Sequence, residues 1–262
     1  MIKFFRKIRY DLMEKNKTGK YFKYAIGEIV LVVIGILIAL QINNWNENKK
    51  RTVLEIKHLK ELKSDIIETL KDARKDANLY EADIQSIRYI QDFFFQKTTY
   101  HDSLAYHFYR SAEHYQLYSK TSAFESIKSI GLEIISNDSL RLGITDFYQI
   151  QIKDAADQGR VSQGSMSFTN KLWPYIEKHF KPVDKPIRKD SAWYNNTDLV
   201  KYPPKQWKVL DVEPLQNDYQ FQLKLNRTLT LRQGMNSYLR TIITNGEKLI
   251  RFIDDETTKL EK

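Results

Sequence analysis

The sequence predicts an all-α fold in which an N-terminal transmembrane helix continues into an antiparallel bundle of long helices, with one irregular insertion rich in proline and aromatic residues. Three observations predict this fold. Residues 24–42 form an apolar run of nineteen residues that only Glu28 and Gln41 interrupt. Apolar residues then recur at alternating spacings of four and three from Ile66 to Ile87, which is the pattern of one helix face. Nine glycines and six prolines in 262 residues leave few breaks between such helices.

The first 23 residues form a basic leader that we expect to lie in the cytoplasm. Residues 1–24 carry eight Lys and Arg residues, whereas the twenty residues after Ile42 carry five. Because positive residues are retained on the inner side of a membrane, this difference predicts that residues 44–262 lie outside the cytoplasm. The leader can lie on the anionic inner leaflet as an amphipathic helix, or it can be a solvated tail that only sets the topology.

Residues 24–43 are predicted to be the transmembrane helix. At a rise of about 1.5 Å per residue, this length crosses a hydrocarbon core of roughly 30 Å. A cleaved signal peptide fits less well, because the leader is long and the exit sequence LQINNW (40–45) lacks the small residues of a cleavage site. A buried core helix also fits less well, because residues 29–40 have no polar face.

One face of this predicted helix carries a carboxyl group and two small residues. The spacing of four and three places five residues on this face: Glu28, Val32, Gly35, Ala39 and Ile42. Small residues four apart let a second helix approach closely, and a carboxyl group at the contact can hydrogen-bond to it. We therefore predict a helix–helix contact here, with a second copy of the chain or with a membrane partner protein. The alternative is that Glu28 only reaches the headgroup region.

The charge of the chain is concentrated in the leader and gives no reason to expect a nucleic acid partner. Of 42 Lys and Arg and 33 Asp and Glu residues, residues 1–24 hold eight and two, so the rest of the chain holds 34 and 31. A region so close to neutral lacks the basic surface that binds a phosphate backbone. The absence of cysteine excludes thiolate catalysis, disulfides and Cys-ligated zinc. We expect no cofactor.

The outer domain is predicted to be a bundle built on helices near 47–96, 139–180 and 218–260. Signals for helix ends lie between these helices or at their starts. They are a capping box from Ser122 to Glu125, Gly131 as a residue that ends a helix, and Ser136 or Asn137 and Asn217 or Asp218 as N-caps.

Residues 181–217 are predicted to form the irregular insertion. They contain five of the six prolines, and residues 206–212 can add one short strand. A connection of this length is typical of a functional loop or an insertion. Its aromatic residues form our candidate partner surface: Trp193, Tyr194, Tyr202 and Trp207.

No motif for nucleotide binding, metal binding or nucleophilic catalysis occurs in the sequence. His107 and His114 are two helical turns apart, which is too far for both to ligate one ion unaided, so we expect aromatic packing and no metal site. We predict a non-catalytic interaction or scaffold protein. One alternative is a small-ligand-binding, sensor-like domain that acts through a partner, because the leader is too short for an output module. The other is an enzyme without a recognisable motif.

Several strings of this sequence resemble those of a known protein family. They are the leader MIKFFRKIR, the anchor YAIGEIVLVVIGILIALQINNWNE (24–47) and the later string TSAFESIKSIGLEIISNDSLR (121–141). These are similar to an uncharacterised family of single-span membrane proteins of Bacteroidetes, the domain of unknown function 6090. The resemblance implies a bacterial inner membrane and a periplasmic helical domain, and it implies no activity and no site residues.

Overall fold

The structure is a computed structural model that describes residue 10 and residues 18–113, 115–160, 172–182 and 207–262. Most of these residues are helical, which confirms the predicted all-α class. The helices are α1 (Thr18–Gln96), α2 (Ser103–Ser111), α3 (Ser122–Ile130), α4 (Asp138–Asp146), α5 (Lys153–Arg160), α6 (172–179), α7 (Val212–Gln216) and α8 (Tyr219–Leu260). A 3-10 turn (Leu132–Ile134) precedes α4, and a π-helix (Phe147–Ile152) joins α4 to α5. Strands β1 (Phe180–Pro182) and β2 (Trp207–Val209) pair antiparallel, with Phe180 opposite Val209.

The chain divides into two compact units, residues 1–56 and residues 57–262, and the boundary lies inside α1. In the described part of the first unit, the side chains from Ile26 to Ile42 are largely exposed. Among the described residues, one helix (Ala25–Gln96) contains a segment long and apolar enough to cross a membrane, with a mean hydropathy of 2.6. Residues 25–43 of the predicted span lie within this range.

In the second unit, α1 and α8 run antiparallel. Four hydrogen bonds between polar side chains join α1 to α8 and its C-cap. The partner on α8 has a lower residue number as the residue number on α1 increases: Lys60–Glu261, Lys63–Asp254, Arg74–Glu247 and Gln91–Asn226. Pairs of this kind on a protein surface contribute little to stability. The apolar contacts beneath them therefore provide most of the stability of the helix pair.

The apolar stripe predicted on α1 forms the centre of the core. All seven stripe residues are buried: Ile66, Leu70, Ala73, Ala77, Tyr80, Ile84 and Ile87. One core cluster surrounds the first part of the stripe and includes apolar residues of α3, α4, the π-helix and the second half of α8. A second cluster surrounds Ile87 and Phe93 and includes α2, α6, the strands and the start of α8. A single face of α1 thus organises both clusters.

The helix ends confirm some of the predicted signals and correct another. Asn137 and Asp218 are N-caps, and each side chain accepts a hydrogen bond from the backbone N–H group three residues on. The predicted capping box at Ser122 is wrong, because Thr121 is the residue before the helix and the Ser122 hydroxyl donates to Asp65 instead. A tertiary contact has replaced the local one.

The helix predicted over residues 139–180 contains a π-helix where it is described. α4 ends at Asp146, and the π-helix and α5 continue the helical path as far as Arg160. The next described helix is α6, over residues 172–179. The short strand predicted within residues 206–212 is confirmed by β2. The π-helix contains no proline or glycine, so its sequence gives no local signal that predicts it.

Gly246 allows α8 to approach α1 closely. A Cβ atom placed at this glycine would lie 2.6 Å from Leu70 Cδ2, a distance that forces the leucine to move. Gly234 on the same helix differs, because a Cβ atom there would meet no atom within 4 Å. The two glycines therefore provide a matched pair for testing the packing of the helices.

We predict opposite effects from alanine at these two glycines. Gly234→Ala should raise the free energy of unfolding by about 0.5–1 kcal/mol, because alanine favours the helix and its methyl group has room. Gly246→Ala should lower it by about 1 kcal/mol, because the methyl group displaces the packed side chain of Leu70. Denaturant titration of the full chain in detergent micelles, followed by circular dichroism, measures both. Equal stabilisation by the two variants would contradict the close approach of α8 to α1.

Candidate functional site

The residues predicted to form a helix–helix contact lie on α1 in the first unit. Val32, Gly35, Ala39 and Ile42 are exposed, and Glu28 is half-buried. A Cβ atom added at Gly35 would meet no atom within 4 Å. The contact involves a second polypeptide, so it stays a prediction.

Three of the four residues predicted to form a partner surface, Trp193, Tyr194 and Tyr202, lie outside the described residues. Trp207 lies in β2 and is half-buried. Its ring centre is 6.2 Å from that of Trp173, and it packs against the second core cluster. Trp207 therefore contributes to packing, and the partner surface as a whole stays a prediction.

A buried ionic cluster joins three elements of the second unit. Asp83 of α1 is fully buried and faces two buried arginines, Arg110 of α2 and Arg232 of α8. Arg110 donates from Nε and Nη2 to Asp83 Oδ1 over 3.1 and 2.7 Å. The hydroxyl of Tyr115 donates to the same oxygen over 3.2 Å. Arg232 Nε lies 3.9 Å from Asp83 Oδ2, so two positive charges surround one carboxylate.

Arg232 is also held by neutral groups. Its guanidinium carbon lies 5.2 Å from the ring centre of Tyr80 and 5.9 Å from that of Tyr115, which is a cation–π geometry. Its Nη2 donates to the backbone carbonyl of Glu113. Burial raises the pKa of Asp83 to about 6, and the nearby arginines oppose that rise. At neutral pH the Asp83 carboxylate is therefore mostly ionised and paired.

A row of side chains on one face of α1 holds the segment that follows α2, residues 115–123. The row consists of four side chains of α1 that are four, three and eight residues apart in order, so they share one face of the helix: Asp65, Thr69, Asp72 and Tyr80. Four hydrogen bonds of 2.8–3.1 Å make the row: Ala123 N to Asp65, Lys120 N to Thr69, Tyr118 N to Asp72, and Tyr80 Oη to the carbonyl of Tyr115. The segment is thus tied to α1 by side chains and not by a neighbouring strand.

Asp76 lies on the same face of α1, between Asp72 and Tyr80, and differs from the rest of the row. It is only 6% exposed, and its Oδ2 has no hydrogen-bond partner in the part of the chain that the structure describes. Burial, and then the negative charge of Asp72, raise the pKa of Asp76 to about 7. Asp76 is therefore close to half-protonated at neutral pH.

A second polar cluster surrounds Asp218, the N-cap of α8. Lys178 Nζ and His179 Nε2 donate to Asp218 Oδ2 over 2.7 and 2.8 Å, and the N–H group of Phe221 donates to Oδ1. Burial alone would raise the pKa of Asp218, but these hydrogen bonds lower it to about 2. The ring of His179 is buried and stacks on Phe221. The cluster anchors the start of α8 in the second core cluster.

Within the described ranges, no three His, Cys, Asp or Glu side chains are arranged to hold a metal ion. His107 Nδ1 lies 3.0 Å from the hydroxyl of Ser86, and its ring centre is 4.6 Å from that of Tyr89. This is the aromatic packing expected for His107. His114 lies outside the described residues.

Comparison with protein-family models gives a match to a family of unknown function, DUF6090, over residues 28–162, more than half of the chain. The chain belongs to this family. The match includes the string at 121–141, and it confirms the resemblance seen in the sequence. No curated protein and no solved structure matches the chain.

Sequence reasoning missed the ionic cluster, although α1 carries part of its signal. Asp83 lies three residues after Tyr80 and four before Ile87, in phase with the buried stripe. A charged residue in core phase indicates a buried ionisable group that needs a partner. The residues matched to DUF6090 include Asp83 and Arg110, whereas Arg232 lies beyond them.

We predict that Asp76→Asn removes a pH dependence of stability. The pKa of Asp76 in the fold, about 7, is above its ordinary value of 3.8. The carboxyl group therefore stabilises the fold most below pH 3.8, and this contribution is lost as the pH rises through 7. The variant should be more stable than the wild type at pH 8, by about 4 kcal/mol, and nearly equal to it at pH 4. Denaturant titration of the full chain at both pH values measures the difference.

The control for this experiment is Asp92→Asn, which removes a carboxylate at an exposed position of the same helix. It accounts for the loss of one charge without any change in the core. A loss of stability at pH 8 on replacing Asp76 would show that its ionised form has a stabilising partner, and would contradict our interpretation.

Proposed function

We propose that this chain is a single-pass membrane protein whose helical domain outside the cytoplasm is a non-catalytic interaction or scaffold module. The observation that carries the proposal is the apolar segment of α1. Between Ile26 and Ile42, twelve large apolar side chains are 46–63% exposed. Soluble monomers rarely expose a continuous apolar surface of this kind, and a helix that is apolar on every side suits a bilayer. Lipid is therefore the proposed environment of this segment.

The proposed orientation places residues 1–23 in the cytoplasm and residues 44–262 in the periplasm of a bacterial inner membrane. It is supported by the eight Lys and Arg residues in residues 1–24. Trp45, at the outer end of the span, is 66% exposed, as suits an aromatic residue at the headgroup level.

We predict that a reporter active only in the periplasm is active when it is fused after Lys262 and expressed in a Gram-negative bacterium. A reporter active only in the cytoplasm should be inactive at the same position. Replacing the eight basic residues of the leader with neutral ones should weaken this preference, because they retain the N-terminus inside. An inactive periplasmic reporter on the intact, membrane-inserted fusion would refute the orientation.

Exposed apolar residues in the insertion and just after it support an interaction module. Leu210 and Tyr219 are 55% and 68% exposed, and Leu223 is 49% exposed one turn after Tyr219. Leu210 lies within residues 181–217, which hold the candidate partner surface, and Tyr219 and Leu223 follow them. Aromatic residues are enriched in protein interfaces. The proposed partner of the outer domain therefore binds at this end of α8.

The apolar helix supports a second contact, inside the membrane. Gly35 and Ala39 lie on one face with Glu28, and a helix can approach closely along small residues. A Cβ atom at Gly35 would meet no atom of the described residues within 4 Å, so a side chain at this position begins in open space. A change at Gly35 thus reports on a contact with a second chain.

We expect Gly35→Leu and Ala39→Leu to reduce association in a membrane two-hybrid assay, because the larger side chains keep a neighbouring helix away. Leu37→Ala is the control, since Leu37 is nine residues after Glu28 and therefore lies on the opposite face of the same helix. Equal association in all three variants, at equal membrane levels, would show that the segment is only an anchor.

A further inference from the structure

A cleft of about 210 Å³ lies between the π-helix and the second half of α8. Phe147, Leu249 and Phe252 supply its apolar lining. Gly143 also lines it, and a Cβ atom there would lie 3.7 Å from Leu249 Cδ1. At about 30 Å³ per water molecule, the cleft has the volume of about seven waters. Because bonded atoms pack more closely than separate waters, it suits a ligand of roughly seven to ten non-hydrogen atoms.

The polar lining of the cleft is connected by hydrogen bonds. Gln151 Nε2 donates to Asp146 Oδ2 over 2.6 Å, and Asn245 Nδ2 donates to Gln151 Oε1 over 3.0 Å. This chain of contacts joins the π-helix to α8 and orients both amide groups. Lys248 adds an exposed ammonium group, and Asp146 is also exposed. The cleft therefore presents one negative and one positive group around an apolar surface.

The π-helix is what brings this lining together. In an α-helix, residues five apart point about 140° away from each other. Here Asp146 and Gln151 are five apart and hydrogen-bonded, because the wider turn of a π-helix places such residues on one side. The hydroxyl of Tyr238 donates a hydrogen bond to the backbone carbonyl of Gln151, which gives this carbonyl group of the π-helix a partner on α8. π-helices are rare and occur frequently at functional sites.

We propose that this cleft binds a small zwitterion with an apolar body, of the chemical class of the free hydrophobic amino acids. Asp146 accepts from the ammonium group of the ligand, and Lys248 donates to its carboxylate. Phe252, the most exposed of the apolar lining residues, and Leu249 contact the apolar side chain of the ligand. The proposal does not depend on the membrane topology or on a protein partner, since every residue it uses lies within the second unit.

The test is isothermal titration calorimetry of the full-length chain in detergent micelles with L-leucine, N-acetyl-L-leucine and L-leucinamide. The acetyl compound lacks the ammonium group, and the amide lacks the carboxylate. L-leucine should bind, and each blocked compound should bind at least about tenfold more weakly, because one charged hydrogen bond is lost. No heat of binding from L-leucine at millimolar concentration would overturn the proposal.

Two variants test which residue binds the ammonium group of the ligand and which binds its carboxylate. In Lys248→Gln, the discrimination between L-leucine and L-leucinamide should disappear, while that against N-acetyl-L-leucine remains. Asp146→Asn keeps an oxygen that accepts the hydrogen bond from Gln151. In this variant, the discrimination between L-leucine and N-acetyl-L-leucine should disappear, while that against L-leucinamide remains. Arg251→Gln, an exposed position one turn along α8, is the control and should leave both discriminations intact. Unchanged discrimination in Lys248→Gln and Asp146→Asn, with circular dichroism spectra like that of the wild type, would overturn the assignment.

Discussion

The carboxylate of Asp83 is fully buried, so its charge has to be matched within the protein. An uncompensated buried charge costs several kcal/mol, and Arg110 and Arg232 offset this cost from two different helices. Apolar packing tolerates small displacements, whereas a guanidinium and a carboxylate have to meet at hydrogen-bond distance. The pairing therefore determines where α2 lies against α1, and it constrains the register of α8. It also determines where the segment of residues 115–123 begins its path along α1.

The same helix shows that burial alone does not decide the charge of a carboxyl group. Asp83 and Asp76 are two turns apart and both are buried. The arginines favour the ionised form of Asp83, whereas the negative charge of Asp72 adds to the effect of burial at Asp76. One acid thus forms the centre of an ionic cluster, and the other is held nearer to its neutral form. Differences of this kind between neighbouring acids mark places where a protein responds to pH.

Patterns within a few residues predicted the elements, and contacts between distant residues escaped prediction. The stripe from Ile66 to Ile87 and the N-cap at Ser136 or Asn137 depend on signals within a few residues, so a single sequence is enough to find the stripe and to place the cap within one residue. The pair of Asp83 and Arg110 joins residues that are 27 apart, and nothing in the sequence identifies the partner. The π-helix was not predicted, for a related reason. Its wide turn is stabilised by α8, through contacts with side chains about ninety residues away.

Two patterns of apolar residues follow one another along α1, and each demands a different environment. From residue 59 to residue 94 the buried positions form a stripe on one side, which neighbouring helices of the same unit can cover. From Ile26 to Ile42 the apolar residues occupy every side, and one neighbouring helix cannot cover them all. The large apolar side chains of this segment are largely exposed. The bilayer that we propose for this segment would surround it on every side with hydrocarbon, and the helix would satisfy its own backbone hydrogen bonds there.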